Sequence, residues 1–487
     1  MNPQDLLTLF DAAAMTALAP LIALALGTLA VLACGIIPGG SVVRPIAFLA
    51  SLAAAAAYCV KTLVDGAPAT LVLDGTFQSG PTTAVWGLVF IASTLFAWLY
   101  SAHYYEEDAP FKGEHDVLML ATPIGMMLMA GAHDLLVFFI GLELLSIPLY
   151  SLAAFRRDRI RSIEAGLKYF LLGAFAAACF LYGAALLYAT TGSLSLDVFA
   201  DPTRRAVILD QPLALVGVAL IASSVFFKVS VFPFHLWVPD VYEGSPTPVT
   251  ALMETGTKAA AFAFLLNALA MLPNSTAGSI ALIAVITMAA GNFGALAQTD
   301  VKRMLAYSGI AHAGTLLLGV AGSLNGDPAR GGAIEAALYY MAAYVATAGG
   351  AFGLLALLER ENKGTTTLES LKGLAQRRPV VAAALTLFML SLGGIPATGG
   401  FLGKYLVFSV AVRAELIPYA ILGVLLSVVA LGYYLRVIIA MYMQSPAEGS
   451  VVPESRPTPF ATTLASVVCA ALVIGLGILP RWFLEVM

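Results

Sequence analysis

Residues 225–248 read VFFKVSVFPFHLWVPDVYEGSPTP. Lys228 stands inside an apolar run, and Pro233 follows five residues later. Neither suits the interior of a continuous membrane helix. The charge is costly in hydrocarbon, and the proline lacks a backbone donor and clashes with the preceding turn. Together they predict a helix broken at the depth where its charge lies. Freed backbone groups survive at such depth only beside protein partners or water.

The surrounding chain supports a membrane setting. It has 487 residues, 60% hydrophobic and only 11% charged, whereas soluble domains carry about 25% charged residues. The net charge of −4 gives no reason to expect a nucleic-acid partner. Cys34, Cys59, Cys179 and Cys469 are scattered through apolar stretches with no CxxC spacing. They read as small packing residues, not as a metal or cluster site. The opening MNPQDLLTLFDAAAM holds Asp5 and Asp11 but no basic residue. No cleavable signal is expected there, and the first apolar run is expected to stay as a span.

A helical span needs about 20 apolar residues. Such runs lie at 15–37, 44–64, 84–102, 117–131, 134–155, 163–190, 212–233, 249–271, 279–298, 303–322, 332–358, 379–411, 415–443 and 460–479. They predict an all-α polytopic membrane protein of about 14 transmembrane helices. The run at 117–131 is short, and that at 379–411 is interrupted by Gly393, Gly394, Pro396, Gly399 and Gly400. With both termini on one side, one set of loops carries Arg44, Lys112, Arg156, Arg157, Arg159, Arg161, Lys302, Arg303, Arg360, Lys363, Lys372, Arg377, Arg378 and Arg456. The other carries Arg204, Arg205, Arg330, Arg413 and Arg481, with Lys61 at a helix end. The basic excess assigns the first set to the cytoplasm and both termini to the outer side.

Two interrupted spans, 212–239 and 379–411, lie five helices apart, each with a lysine near its break. That placement predicts two inverted five-helix repeats with broken helices 7 and 12. The expected division is 1–116 (helices 1–3), 117–271 (helices 4–8), 272–443 (helices 9–13) and 444–487 (helix 14).

The ionisable residues inside spans are Glu143, Lys168, Lys228, Glu254, Lys258, Lys404 and Arg436, with His312 and, near a break, His235. Each charge costs about 2.5–3.5 kcal/mol to insert, and such groups mark ion or proton paths. Glu143 is nine residues past Asp134, so about 14 Å deep at 1.5 Å per residue. Lys258 and Lys404 lie at similar depth, and Lys168 nearer the cytoplasm. Arg436 is close enough to a helix end to snorkel. Glu164–Lys168 and Glu254–Lys258 are also i, i+4 pairs, so local ion pairing is the lesser, rival reading for them. His312 reads either as a packed core histidine or as a relay. His133 and His235 read as structural. Glu143 and Lys228 have no local partner of opposite sign and need one from another helix. A lysine poised between desolvation and a nearby carboxylate is a switchable proton site.

At this point the residues are familiar. KVSVFPFHLWVPDVYEGSPTPVTAL, QTDVKRMLAYSGIAHAG and LSLGGIPATGGFLGKYLVF resemble the antiporter-like membrane subunits of respiratory complex I. DVYEGSPTP resembles the N-type branch of that family, where the L and M types carry a histidine. The lack of a long extension after 479 also points away from the L type. The resemblance implies a proton path through Glu143 on the fifth helix, Lys228 on the broken seventh, Lys258 on the eighth and Lys404 on the broken twelfth. Lys168 and His312 are secondary candidates, and Glu254 has no place in the family pattern. It implies no cofactor on this chain, with FMN, iron–sulfur clusters and quinone in partner subunits. The implied partners are M-type and small K- and J-type membrane subunits, a peripheral redox arm and lipid, in a bacterial inner membrane. A subunit of a cation/proton antiporter, a hydrogenase-linked pump and a passive spacer are the rival readings.

Overall fold

A computed structural model describes residues 12–37, 40–66, 68–105, 112–324, 329–362, 364–446 and 457–485. Asp5, Asp11, Lys363 and Arg456 lie outside the described residues, as do the side chains of Lys112 and Arg330. The crossings, in order, begin with α1 (Ala12–Ile36), α2 (Gly40–Val64), α3 (Pro81–Tyr104), α4 (Lys112–Gly131), α5 (Leu135–Ala153) and α6 (Ile160–Thr191). The seventh is split into α7a (Pro212–Val229) and α7b (Val238–Gly244). Then come α8 (Thr247–Asn267), α9 (Ala277–Leu296), α10 (Val301–Leu324) and α11 (Ala329–Glu361). The twelfth is split into α12a (Pro379–Gly393) and α12b (Gly399–Arg413), followed by α13 (Ile417–Met443) and α14 (Phe460–Ile478).

Among the described residues, twelve helices are long and apolar enough to cross a membrane. The two other expected crossings are α4 and the α12 pair. α4 carries Glu114, His115 and Asp116 at its start, and α12 is two pieces of 15 residues each. The helices pack closely where side chains vanish. On α4 and α5, a Cβ at Gly125 would sit 2.4 Å from the backbone nitrogen of Leu145, so only glycine permits this approach.

α8, α10 and α11 are enclosed on nearly all sides, whereas α1, α2, α13 and α14 are mostly open. The open faces carry Leu26, Leu29, Ile46, Leu425 and Val467, as lipid-facing helices do. Loops at one end are knitted together. A hairpin of β1 (Thr70–Val72) and β2 (Phe77–Ser79) bridges Ala132, and Asp134 bridges Ser195. At the opposite, basic end, Asp300 bridges Thr367. In the turn between α5 and α6, the Arg156 guanidinium bonded to Asp158 holds that carboxyl below the usual carboxylate range.

Candidate functional site: lysines at two helix breaks

α7a does not reach Pro233. It ends at Val229, where Ser230 takes a left-handed conformation with φ 66°. The Ser230 amide bonds the Phe227 carbonyl at 3.1 Å, and the Val231 amide bonds the Phe226 carbonyl at 2.9 Å. That pair of bonds closes a helix end of the Schellman type. α12a ends in the same way. Gly394 has φ 82°, and the Gly394 and Ile395 amides bond Ser391 and Leu390, both at 3.0 Å. The prolines therefore follow breaks that the backbone has already made.

What covers the freed carbonyls differs. At the first break, Trp237 Nε1 donates to the Phe227 carbonyl at 3.2 Å. Lys228 is thereby left to turn elsewhere. Its ammonium, buried, bonds Ser146 Oγ at 2.8 Å and the Tyr169 hydroxyl at 3.0 Å. At the second break Lys404 does the covering itself, donating to Leu392 O at 2.9 Å and Gly393 O at 3.3 Å. Lys404 also lines a cavity of about 630 Å³ between α12b and α13, as does Arg413.

Glu143 stands on α5 one turn from Ser146, and forms no ion pair with Lys228. Its Oε1 is buried without a hydrogen-bond partner. The expected Glu143–Lys228 partnership is thus not a direct salt bridge.

Glu254 and Lys258 lie on α8, the first within a π-helical turn at Met253–Thr257 and the second directly after it. Both are buried, and Lys258 Nζ touches the two carboxylate oxygens at 2.7 and 2.8 Å. The local ion pair foreseen for this spacing is formed, wholly inside the protein. Tyr344 on α11 donates its hydroxyl to Glu254 Oε1.

His312 on α10 is buried with both ring nitrogens bonded, to the Tyr340 hydroxyl at 2.5 Å and the Tyr434 hydroxyl at 3.1 Å. Its ring lies 4.8 Å from that of Tyr344. Two small cavities of about 10 Å³ touch it, one reaching Thr347 and Ser391, the other Lys404. Each approaches the room a single water needs.

Lys168 is not an interior group. Its side chain is 42% exposed and bonds Glu164 at 2.7 Å and Asp240 at 3.1 Å. Asp240 and Glu243 each hold Arg303 at 2.8 Å, which makes one network on the basic face. Arg436 turns to the ends of α9, donating to the Leu296 and Gln298 carbonyls at 2.5 and 3.2 Å. Among the described residues His235 Nδ1 is buried and unbonded, and His133 bonds Asp197 at 2.8 Å.

Sequence reading placed Lys302 in a loop, but it is buried, donating to Ser245 O at 2.5 Å and lying 3.8 Å from Glu359. Glu359, also buried, accepts from Arg159 at 2.9 Å, Tyr104 at 3.2 Å and Thr247. These partners come from separate helices and a turn, so no local spacing announces the cluster.

Comparison with known proteins places this arrangement. The transmembrane family of NADH:quinone oxidoreductases and Mrp antiporters matches residues 132–430, and the chain belongs to that family. Within it, the NADH-quinone oxidoreductase subunit N of Myxococcus xanthus is 42% identical over 456 residues, 88% of this chain and 87% of that protein. Subunit N of Salinibacter ruber is 41% identical over 429 residues, covering 86% and 85%. A chain of respiratory complex I from Thermus thermophilus with bound aureothin superposes with a TM-score of 0.79 at 35% identity, covering 96% of this chain and 98% of that one. A chain of the Mrp complex from a Dietzia species shares the fold, with a TM-score of 0.83 at 20% identity and coverage of 97% and 95%.

Proposed function

We propose that this chain is the N-type membrane subunit of a proton-translocating NADH:quinone oxidoreductase. It moves protons from the cytoplasm to the periplasm through Glu143, Lys228, Lys258 and Lys404, with His312 as a relay and Lys168 at the cytoplasmic rim. One observation carries this reading. Lys228 is buried at a helix break, bonded to two neutral hydroxyls and to no carboxylate. A lysine without a fixed counter-charge is free to exchange its proton, and intramembrane charges mark such paths. The nearby unpartnered Glu143 oxygen is the group whose approach would retain it.

Redox chemistry belongs to partner subunits in this reading, which carry FMN, iron–sulfur clusters and quinone. Neighbouring membrane subunits of the M, K and J types shift Glu143 electrostatically. The setting is the bacterial inner membrane, with both termini periplasmic. The halves 117–271 and 272–443 act as inverted repeats about the two breaks. The Mrp-type likeness is one of fold at 20% identity, so the antiporter reading ranks second.

The test is Lys228→Ala in the assembled complex, reconstituted in vesicles. NADH-driven proton uptake should fall while the complex stays whole. Normal pumping by the intact variant sinks the proposal.

A further inference from the structure

Glu254 has no task in the path above, yet it is the most enclosed carboxylate of the site. Its relative exposure is 0%. α10 makes room for it: a Cβ at Gly309 would lie 1.9 Å from Glu254 Oε1. The carboxylate thus rests directly on the backbone of a neighbouring helix, which a pair formed for local helix stability does not require. The π-helical turn that contains Glu254 and ends just before Lys258 adds a second local departure, of a kind frequent at functional sites.

Its surroundings reach toward both breaks. Toward the first, the buried Tyr242 ring meets Trp237 edge-on at 5.9 Å, and Trp237 stacks on Tyr169 at 4.9 Å. Tyr169 is a partner of Lys228. Toward the second break, Tyr344 bonds Glu254 and packs against His312, whose cavity reaches Lys404.

We propose that Glu254 is a proton-carrying residue of the central site, sharing a proton with Lys258 and handing it toward His312 through the Tyr344 hydroxyl. This deepens the proton-path reading and rests on it. In the first step a Lys258 N–H bond breaks and a Glu254 O–H bond forms. The ammonium and carboxylate become a neutral amine and a neutral acid, and no net charge is created in a low-dielectric interior. In the second, the Tyr344 hydroxyl turns away from the carboxylate, the Glu254 O–H bond breaks as its proton passes to the Tyr344 oxygen, and the proton that Tyr344 held moves to a ring nitrogen of His312, which becomes imidazolium. Glu254 returns to carboxylate, and the amine is reloaded from the Lys228 side.

The experiment uses the whole complex in vesicles, with Glu254→Gln, Tyr344→Phe and Lys228→Ala compared. Tyr344→Phe removes one hydroxyl and leaves the ion pair intact, so it is informative even where Glu254→Gln fails to assemble. Its proton uptake per NADH oxidised is expected to fall to the level of Lys228→Ala. Redox-triggered infrared difference spectra of the wild type should show a carboxyl C=O band that Glu254→Gln abolishes, or that Tyr344→Phe shifts. A purely structural ion pair moves no such band. Wild-type pumping by Tyr344→Phe, or absence of the band, overturns this assignment alone if Lys228→Ala is inactive. Normal pumping by Lys228→Ala overturns the proton path and this assignment together.

Discussion

Lys404 Nζ lies 2.9 Å from the Leu392 carbonyl, so a lysine on the second half of a broken helix closes the end of the first. The unpaired carbonyls at a helix C-terminus carry partial negative charge, and a cation there is favourable. Lys404→Met should cost about 1.5–3 kcal/mol, the range for hydrogen bonds to charged groups. Lys404→Arg should cost less than half as much. Hydrogen exchange at the Gly394 and Ile395 amides in the solubilised complex reads the effect. Unchanged protection in Lys404→Met would remove the capping role.

Ser230 invites a stabilising change. It sits in the left-handed region with φ 66°, fully buried, and its hydroxyl has no partner. The equivalent position in the second break is Gly394. Left-handed backbone costs an L-residue about 1–2 kcal/mol, which glycine avoids. Ser230→Gly should therefore gain about 1 kcal/mol net of glycine's greater chain entropy, and Ser230→Val should lose stability. The heating temperature at which the subunit leaves the solubilised complex is the measurement, and a drop for Ser230→Gly would contradict the account.

The Glu359 cluster gives a third expectation. Arg159 and Lys302 both face this one carboxylate, at 2.9 and 3.8 Å. Glu359→Ala leaves two buried or half-buried cations without their counter-charge. Breaking a buried pair on one side costs about 3–5 kcal/mol. The variant should insert poorly or lose heat resistance by more than any surface change, and Glu359→Gln should fall between. Melting indistinguishable from wild type would show that Ser245 O and water suffice for Lys302.

Much of this was legible in the sequence because hydrocarbon imposes simple rules. A charge in an apolar run is conspicuous, and Lys228, Lys258 and Lys404 all prove buried. The proline–glycine punctuation marked both breaks. Their mechanism was not legible, because Ser230 carries no local signal for left-handed backbone as Gly394 does. At Lys168 the i, i+4 pair with Glu164 forms as its spacing indicates. Depth along a helix was counted, but not the direction of the side chain, which turns to Asp240 on the exposed face. Lys302 erred the other way: it begins α10 and points into the protein toward Ser245. Contacts assembled from distant segments, such as Glu359 with Tyr104 and Thr247, exist only after folding.

The two breaks divide their labour differently. Trp237 fastens the first with an indole that never changes charge, and the Lys228 ammonium bonds Ser146 and Tyr169 on other helices. At the second, the fastener and the titratable group are the same side chain. A proton that leaves Lys404 also removes the positive charge facing the negative end of α12a. Occupancy at the second site is therefore written into the joint between α12a and α12b, because the same ammonium bonds the carbonyls that end α12a.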